Sequence, residues 1–161
     1  MEIRRTEPGD WPGIWPIWHE VVAAGETYTW DPETDESGGR AAWLLPPPAE
    51  IFVAVDGLTI VGTAQLRPNY PGLGSHVCNA SFMVAGTAGG RGIGRRLAEH
   101  VIARATARGY RAMQFNAVVS TNERAVGLWR ALGFAVIGTV PEGYRHARLG
   151  YVDLYVMHKH L

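Results

Sequence analysis

The residue pattern predicts an α/β (α+β) fold: a mixed, mostly antiparallel sheet of six to seven strands flanked by helices. Three observations point there. The β-type runs Glu50–Asp56 (EIFVAVD) and Thr59–Leu66 (TIVGTAQL) are joined by the two-residue link Gly57-Leu58, which makes an antiparallel hairpin. Ser75–Val84 (SHVCNASFMV) leads into a glycine-rich loop, a helical pattern and then the strand run Tyr110–Val119, a sequence that closes as a right-handed crossover between parallel strands. A chain of 161 residues that is 47% hydrophobic is long enough for a sizeable core in one domain, residues 1–161.

The remaining elements follow in order. Glu2–Thr6 reads as a short strand, broken by Pro8, Gly9 and Asp10, the last of which supplies a helix cap. Ile14, Ile17, Trp18, Val21 and Val22 then recur at helical spacing, giving an amphipathic helix to about Ala24. Pro12 suits its first turn, whereas Pro16 removes an interior bond and kinks or delays the helix. A turn-rich connection carries Thr27, Tyr28 and Trp30, and five of the six tryptophans precede residue 44. Two roles suit these aromatics: a core beneath a long loop, or a wall over a substrate pocket, since loops on a rigid scaffold carry binding residues. A second helix, Glu36–Leu45, stops at Pro46, and Asn69–Gly74 is a loop of Pro and Gly. The helix of about Arg91–Arg108 is capped by Gly109, and that of Asn122–Leu132 by Gly133. Phe134–Val140 and Arg148–His158 close the chain as strands.

Composition limits the function. Fifteen basic against fifteen acidic residues give no support for a nucleic-acid or membrane-surface partner. Cys78 is the single cysteine, so there is no intramolecular disulfide and no cysteine-based metal cluster; no metal is expected. The N-terminus lacks the apolar core of a signal peptide and no run approaches about 18 apolar residues, so the expectation is a soluble cytoplasmic protein.

The chemistry concentrates in Ala88–Ala98, AGGRGIGRRLA. Gly89, Gly90, Gly92 and Gly94 run into a helix whose apolar positions are Ile93, Leu97, Val101 and Ala105. Free N–H groups, the positive end of the helix dipole and the missing side chains make an anion site, best filled by a diphosphate, with Arg91, Arg95 and Arg96 adding charge. The plain alternative is a flexible surface turn. A Walker loop would need a lysine, and a dinucleotide site an acidic residue about 20 positions on; neither is present, which excludes ATP and NAD as expected ligands.

On these residues the chain resembles the GCN5-related N-acetyltransferase (GNAT) superfamily. A strand ending Phe82-Met83-Val84 precedes the glycine loop, and Asn122, Ala125, Leu128, Trp129, Gly133 and Phe134 match the family's second motif. Gly89 departs from the Arg or Gln usual at its position. The resemblance implies acetyl-CoA as co-substrate. It implies a donor site of Phe82, Met83, Val84, Gly89, Gly90, Arg91, Gly92, Ile93, Gly94 and Arg95, with Asn122, Ala125 and Trp129 alongside. Strands four and five would splay, leaving backbone at Phe82–Val84 for the pantetheine and an N–H near Met83 or Val84 for the thioester oxygen, worth about 3 kcal/mol.

Acid and base depart from the family pattern. Trp129 stands where many relatives have a tyrosine acid, and Asn79 where many have a glutamate; neither titrates usefully. Asn79 and Asn116 are therefore expected to grip the acceptor, with Val84 completing the catalytic set, Asn122 facing the CoA arm, and Thr27, Tyr28 and Trp30 lining the acceptor side. His146, Tyr151 and Glu142 are candidate relay groups. The combination CNASFMV, FNAVVSTN and Trp129 looks similar to family members in yeast that acetylate azetidine-2-carboxylate and other proline analogues, and the C-terminal run to the phosphinothricin-acetyltransferase-like, small-amine branch. That implies a small-molecule amine partner, an amino or imino acid, with water relaying the proton. Rivals are a non-catalytic acyl-CoA-binding sensor or partner module and a protein N-terminal or lysine acetyltransferase. The alternation of Val152, Leu154 and Val156 would allow a homodimer through the C-terminal strands.

Overall fold

The computed structural model describes all residues 1–161. Its strands are β1 (Glu2–Arg5), β2 (Glu50–Asp56), β3 (Thr59–Pro68), β4 (Val77–Val84), β5 (Ala112–Val119), β6 (Ala135–His146) and β7 (Gly150–His160). Its helices are α1 (Trp11–Ala23), α2 (Glu36–Trp43), α3 (Ile93–Ala107) and α4 (Glu123–Ala131). One seven-stranded sheet runs β1-β2-β3-β4-β5-β7-β6, and β4 with β5 is the parallel pair. The expected class and element order are present. No helix is long and apolar enough to cross a membrane.

Local chemistry moves several boundaries. Asp10 does not cap α1: its carboxylate accepts from Arg4 at 2.7 and 2.9 Å and from the Glu7 N–H at 2.7 Å, tying the loop back to β1. Pro16 sits inside the 13-residue α1 without ending it, because the helix is pinned by the buried Ile14, Ile17 and Trp18. Strand β6 runs six residues past the expected Val140. Pro141-Glu142-Gly143, which falls outside both expected strands, forms a bulge in which Glu142 takes φ 50° and donates its N–H to Asp153 Oδ1 at 2.9 Å. Strand β7 pairs with both β5 and β6, so of the two C-terminal strands the one at a sheet edge is β6, with Ile137 and Val140 exposed, and not β7.

Two cores flank the sheet. On one face α3 buries Ile93, Leu97, Val101 and Ala105, the predicted helical spacing, against Phe52 and Leu66. On the other, α1 and α2 bury Trp11, Trp18 and Trp43 over Val53 and Met83. Trp43 is 0% exposed and still satisfied: its Nε1 donates to Thr63 Oγ1 at 3.0 Å, and that hydroxyl donates to the Phe52 carbonyl at 2.9 Å.

Glu50 joins the layers. Although 4% exposed, its carboxylate accepts from Arg104 Nε at 2.8 Å and Nη2 at 3.1 Å, with Arg108 at 3.3 Å and Arg5 at 3.8 Å. Burial alone would raise its pKa; the Arg104 hydrogen bonds and the three positive charges outweigh it and hold the group below its ordinary 4.5. A depressed pKa contributes stability that is present above the unfolded value and lost as pH falls through the folded one. Glu50→Gln is therefore expected to lose about 1–3 kcal/mol at pH 7 in urea titrations. Its disadvantage should shrink below about pH 4. An equal deficit at pH 3 and pH 7 would contradict this account.

Candidate active site

Strands β4 and β5 pair at Val77 with Ala112 and at Cys78 with Met113, and then part. Two features hold them apart. Aromatic rings fill the wedge on the α3 face: Trp129 lies 5.1 Å from Phe82 and 4.7 Å from Phe115, ring centre to ring centre. Strand β5 also bulges between Phe115 and Val118, swinging Asn116 out of the ladder. Trp129 is thus packed at the point where the two strands part, its indole against both Phe82 and Phe115.

The β3–β4 ladder decides which backbone faces the gap. Antiparallel pairing alternates, and the Ala85 N–H bonds the Val61 carbonyl at 3.0 Å while Asn69 bonds Val77 at 2.8 Å. Ser81 and Met83 therefore turn their polar groups to β3, and Phe82 and Val84 turn theirs to the gap. Of the expected Phe82–Val84 edge, Met83 drops out; its side chain is 2% exposed, among the α1 and α2 aromatics. The backbone of Phe82 is taken by Tyr28, whose hydroxyl accepts from the Phe82 N–H at 2.9 Å and donates to the Phe82 carbonyl at 2.7 Å. Val84 is left as the gap-facing N–H without a partner.

At the end of β4 the glycine loop presents a longer row. The backbone N–H groups of Gly90, Arg91, Gly92, Ile93, Gly94 and Arg95 make no hydrogen bond within the protein, and the first helical bond runs from Arg96 to the Gly92 carbonyl at 3.1 Å. Gly90 and Gly92 take φ 79° and 73°, the left-handed region that turns successive N–H groups to one side. These residues fit a diphosphate. The side-chain charge is less concentrated than the sequence implies, because Arg91 pairs with Asp56 at 2.5 Å and Arg95 with Glu99 at 2.8 Å. A residue missed by sequence reasoning compensates: Arg124 of α4 places Nη1 3.8 Å from where a Cβ on Gly89 would stand. Asn122 caps α4, its Oδ1 accepting from the Ala125 N–H at 3.3 Å, which leaves only its amide N–H₂ to turn elsewhere.

The acceptor side gathers amides. Asn79 Nδ2 donates to Asn69 Oδ1 at 3.1 Å and Asn116 Nδ2 donates to the same oxygen at 2.8 Å; Gln114 Nε2 donates to Asn116 Oδ1 at 3.0 Å. Asn79 and Asn116 are thus joined through Asn69, a residue the motifs did not mark, and Asn122 lies outside this cluster. The signal for Asn69 was the alternation Gln65, Arg67, Asn69, which continues one face of β3 into what reads as a Pro and Gly loop.

The two aromatic roles are divided. Trp11, Trp18 and Trp43 are core, while half-buried Tyr28 and Trp30 stack 5.1 Å apart at 15°. The Tyr144 hydroxyl donates to the Tyr28 carbonyl at 3.0 Å, fixing the loop to β6, and a cleft of about 570 Å³ lies between them, lined by Tyr28, Trp30, Asp31, Tyr144 and His146. Burial pushes the Tyr28 phenol up to about 12, so it keeps its proton at neutral pH. Thr27 Oγ1 is buried without a partner. Of the candidate relay groups, His146 lines this cleft with its Nδ1 occupied by the Arg148 and Leu149 N–H groups of the β6–β7 turn, Tyr151 is 65% exposed, and Glu142 is in the bulge. No cluster of three or more His, Cys, Asp or Glu is arranged to hold a metal.

A phosphate cradle following the free Val84 N–H at the end of β4, with a polar mouth beside it, defines a site for a long phosphorylated donor and a separate acceptor. Residues 15–134 match the model of the acetyltransferase (GNAT) family, and the chain belongs to that family. It is similar to a GCN5-related N-acetyltransferase from Kribbella flavida of solved structure, with 51% identity over 99% of this chain and 97% of that one, and a TM-score of 0.95. It is 35% identical over 117 residues to N-acetyltransferase aca1 of Schizosaccharomyces pombe, covering 71% of this chain and 56% of that protein. It therefore spans little more than half the length of aca1. It is also 31% identical, over 99% of this chain and 94% of the relative, to the L-methionine sulfoximine/L-methionine sulfone acetyltransferase of Pseudomonas aeruginosa.

Proposed function

We propose that this acetyltransferase takes acetyl from acetyl-CoA and delivers it to the amine of a small molecule, an amino or imino acid such as a proline analogue. The observation that carries the reading is the meeting of Asn79 and Asn116 on Asn69 Oδ1 at the mouth of the gap, a set of neutral amides that can orient a polar acceptor. The Pseudomonas relative, named for amino-acid derivatives, supports the acceptor class.

Acetyl-CoA supplies the activated thioester. The chain does the rest. The N–H groups of Gly90–Arg95 hold the diphosphate; the Val84 N–H faces the developing negative charge on the thioester oxygen, a contact worth about 3 kcal/mol. Asn79 and Asn116 orient the amine so that attack proceeds within one ternary complex, where proximity supplies much of the acceleration. Neither amide takes a proton, so the amine attacks in its neutral form; as the C–N bond forms and the C–S bond breaks, water carries the proton released by the nitrogen to the departing thiolate.

The test is free-thiol release from acetyl-CoA with azetidine-2-carboxylate, proline analogues, amino acids, polyamines and peptide N-termini. Turnover with the amino and imino acids is expected. Thiol release with peptides alone would favour a protein acetyltransferase, and binding of acetyl-CoA without turnover across the panel would favour a sensor.

A further inference from the structure

Arg67 is the charged residue that the donor and acceptor machinery leaves unexplained. It is half-buried near the end of β3, directly across the ladder from Asn79, so the two side chains share a face. Of the five N–H donors a guanidinium carries, only one is used, in a bond to Gln65 Oε1. Gln65 is itself held from behind, its Nε2 donating to the Ala42 carbonyl at 3.1 Å and the Trp43 carbonyl at 2.7 Å. The fork of Arg67 is thus braced against α2 with its other donors unspent.

No carboxylate answers that charge. Arg67 is absent from every ion pair in the molecule, and β3, β4, β5 and the 69–76 connection contain no acidic residue. None of the acids in the 24–35 connection reaches it: Glu26 pairs with Arg148 at 2.7 Å, Asp31 accepts the Glu33 N–H at 2.9 Å, Asp35 accepts the Gly38 N–H at 2.7 Å, and Glu33 is exposed and makes no ion pair. Burial holds the guanidinium below the usual arginine range, while the neighbouring Tyr28 hydroxyl opposes that shift. Arginine does not shed its proton at working pH, and a half-buried cation without a counter-ion is costly. The missing anion therefore has to arrive from outside.

We propose that Arg67 anchors the carboxylate of the acceptor, so that the chain selects α-amino or α-imino acids in their ionised form. The anchor rests on the small-amine reading above. A carboxylate one bond from the carbon that bears the amine fits the layout: the planar fork grips two oxygens from β3 while Asn79 and Asn116, across the same mouth, orient the nitrogen. Arg67 then acts in specificity and touches no reacting bond.

The experiment compares azetidine-2-carboxylate with azetidine-2-carboxamide, same ring and same amine, in wild type, Arg67→Gln and Arg67→Lys. Wild type is expected to favour the acid by about 100-fold in kcat/KM, and Arg67→Gln to bring that preference below about tenfold, with Arg67→Lys between them. Equal use of acid and amide by wild type, or an undiminished preference in Arg67→Gln, overturns the anchor while leaving small-amine acetylation standing. Failure of wild type to turn over any small amine overturns the underlying reading instead. A second measurement needs only wild type: tetrahydrofuran-2-carboxylate, which has no amine to acetylate, should compete with the acceptor, and its carboxamide should not. Equal competition by both counts against Arg67.

Discussion

Gly92→Asp is expected to raise the KM for acetyl-CoA by about 10²–10³-fold while leaving the fold in place. Gly92 sits at φ 73° with nothing within 4 Å of the position a Cβ would take, so a side chain has room. Aspartate is among the few residues that tolerate the left-handed region. What changes is charge. A carboxylate about 4 Å from a phosphate costs roughly 4 kcal/mol at the effective dielectric of a protein surface. It would also occupy the row of N–H groups from Gly90 to Arg95 that otherwise have no partner. Gly92→Asn is the control, being of equal size and without charge, and should lose no more than about tenfold. Donor KM and calorimetric binding of CoA read the effect, and a melting curve reads the fold. Equal losses in the two variants would assign the effect to backbone and shape, and an unaltered KM in Gly92→Asp would remove the loop from the donor site.

The glycine loop was legible in the sequence because every part of it is local: glycines for the turn, then Ile93, Leu97, Val101 and Ala105 to seat the helix. The hairpin of β2 and β3 was legible for the same reason. What escaped depended on distant partners. Pro141-Glu142-Gly143 carries turn chemistry, and only the pairing of β6 with β7, through Asp153, converts it into a bulge. Asn69 looked like a loop residue because Pro71 and Gly72 follow it; its place is set by the ladder bond from its N–H to the Val77 carbonyl. Arg67 belongs to no motif at all. Its meaning lies in what it lacks, and an absent counter-ion becomes visible only when every carboxylate has been placed. Conversely, Asn122 matched a motif and proved to spend its oxygen on a helix cap, a role that Asn fills readily at such a position.

Tyr28→Phe is expected to lower stability by about 2–4 kcal/mol, and the melting temperature by about 5–15 °C, for the loss of a single oxygen. In the wild type that oxygen stands where a neighbouring strand would, bonding both the N–H and the carbonyl of Phe82 across 54 residues of sequence. Phenylalanine keeps the ring stacked on Trp30 and leaves two strand-edge polar groups without a partner. Each such group costs about 1–3 kcal/mol, less where water can reach it. The pH dependence separates this from simple loss of packing. Burial raises the phenol to about 12 from an ordinary 10, so the unfolded chain releases the proton before the native one does. The stability tied to that shift is complete below pH 10 and is lost as pH rises through the folded value. Wild type should therefore lose about 2–3 kcal/mol more than Tyr28→Phe between pH 10 and pH 12, so that the two urea curves converge. Parallel curves over that range would mean that the hydroxyl is solvated and that the Phe82 edge is open before any donor arrives. Convergence would mean that Tyr28 keeps part of the gap closed, leaving the Val84 N–H as the free position on β4.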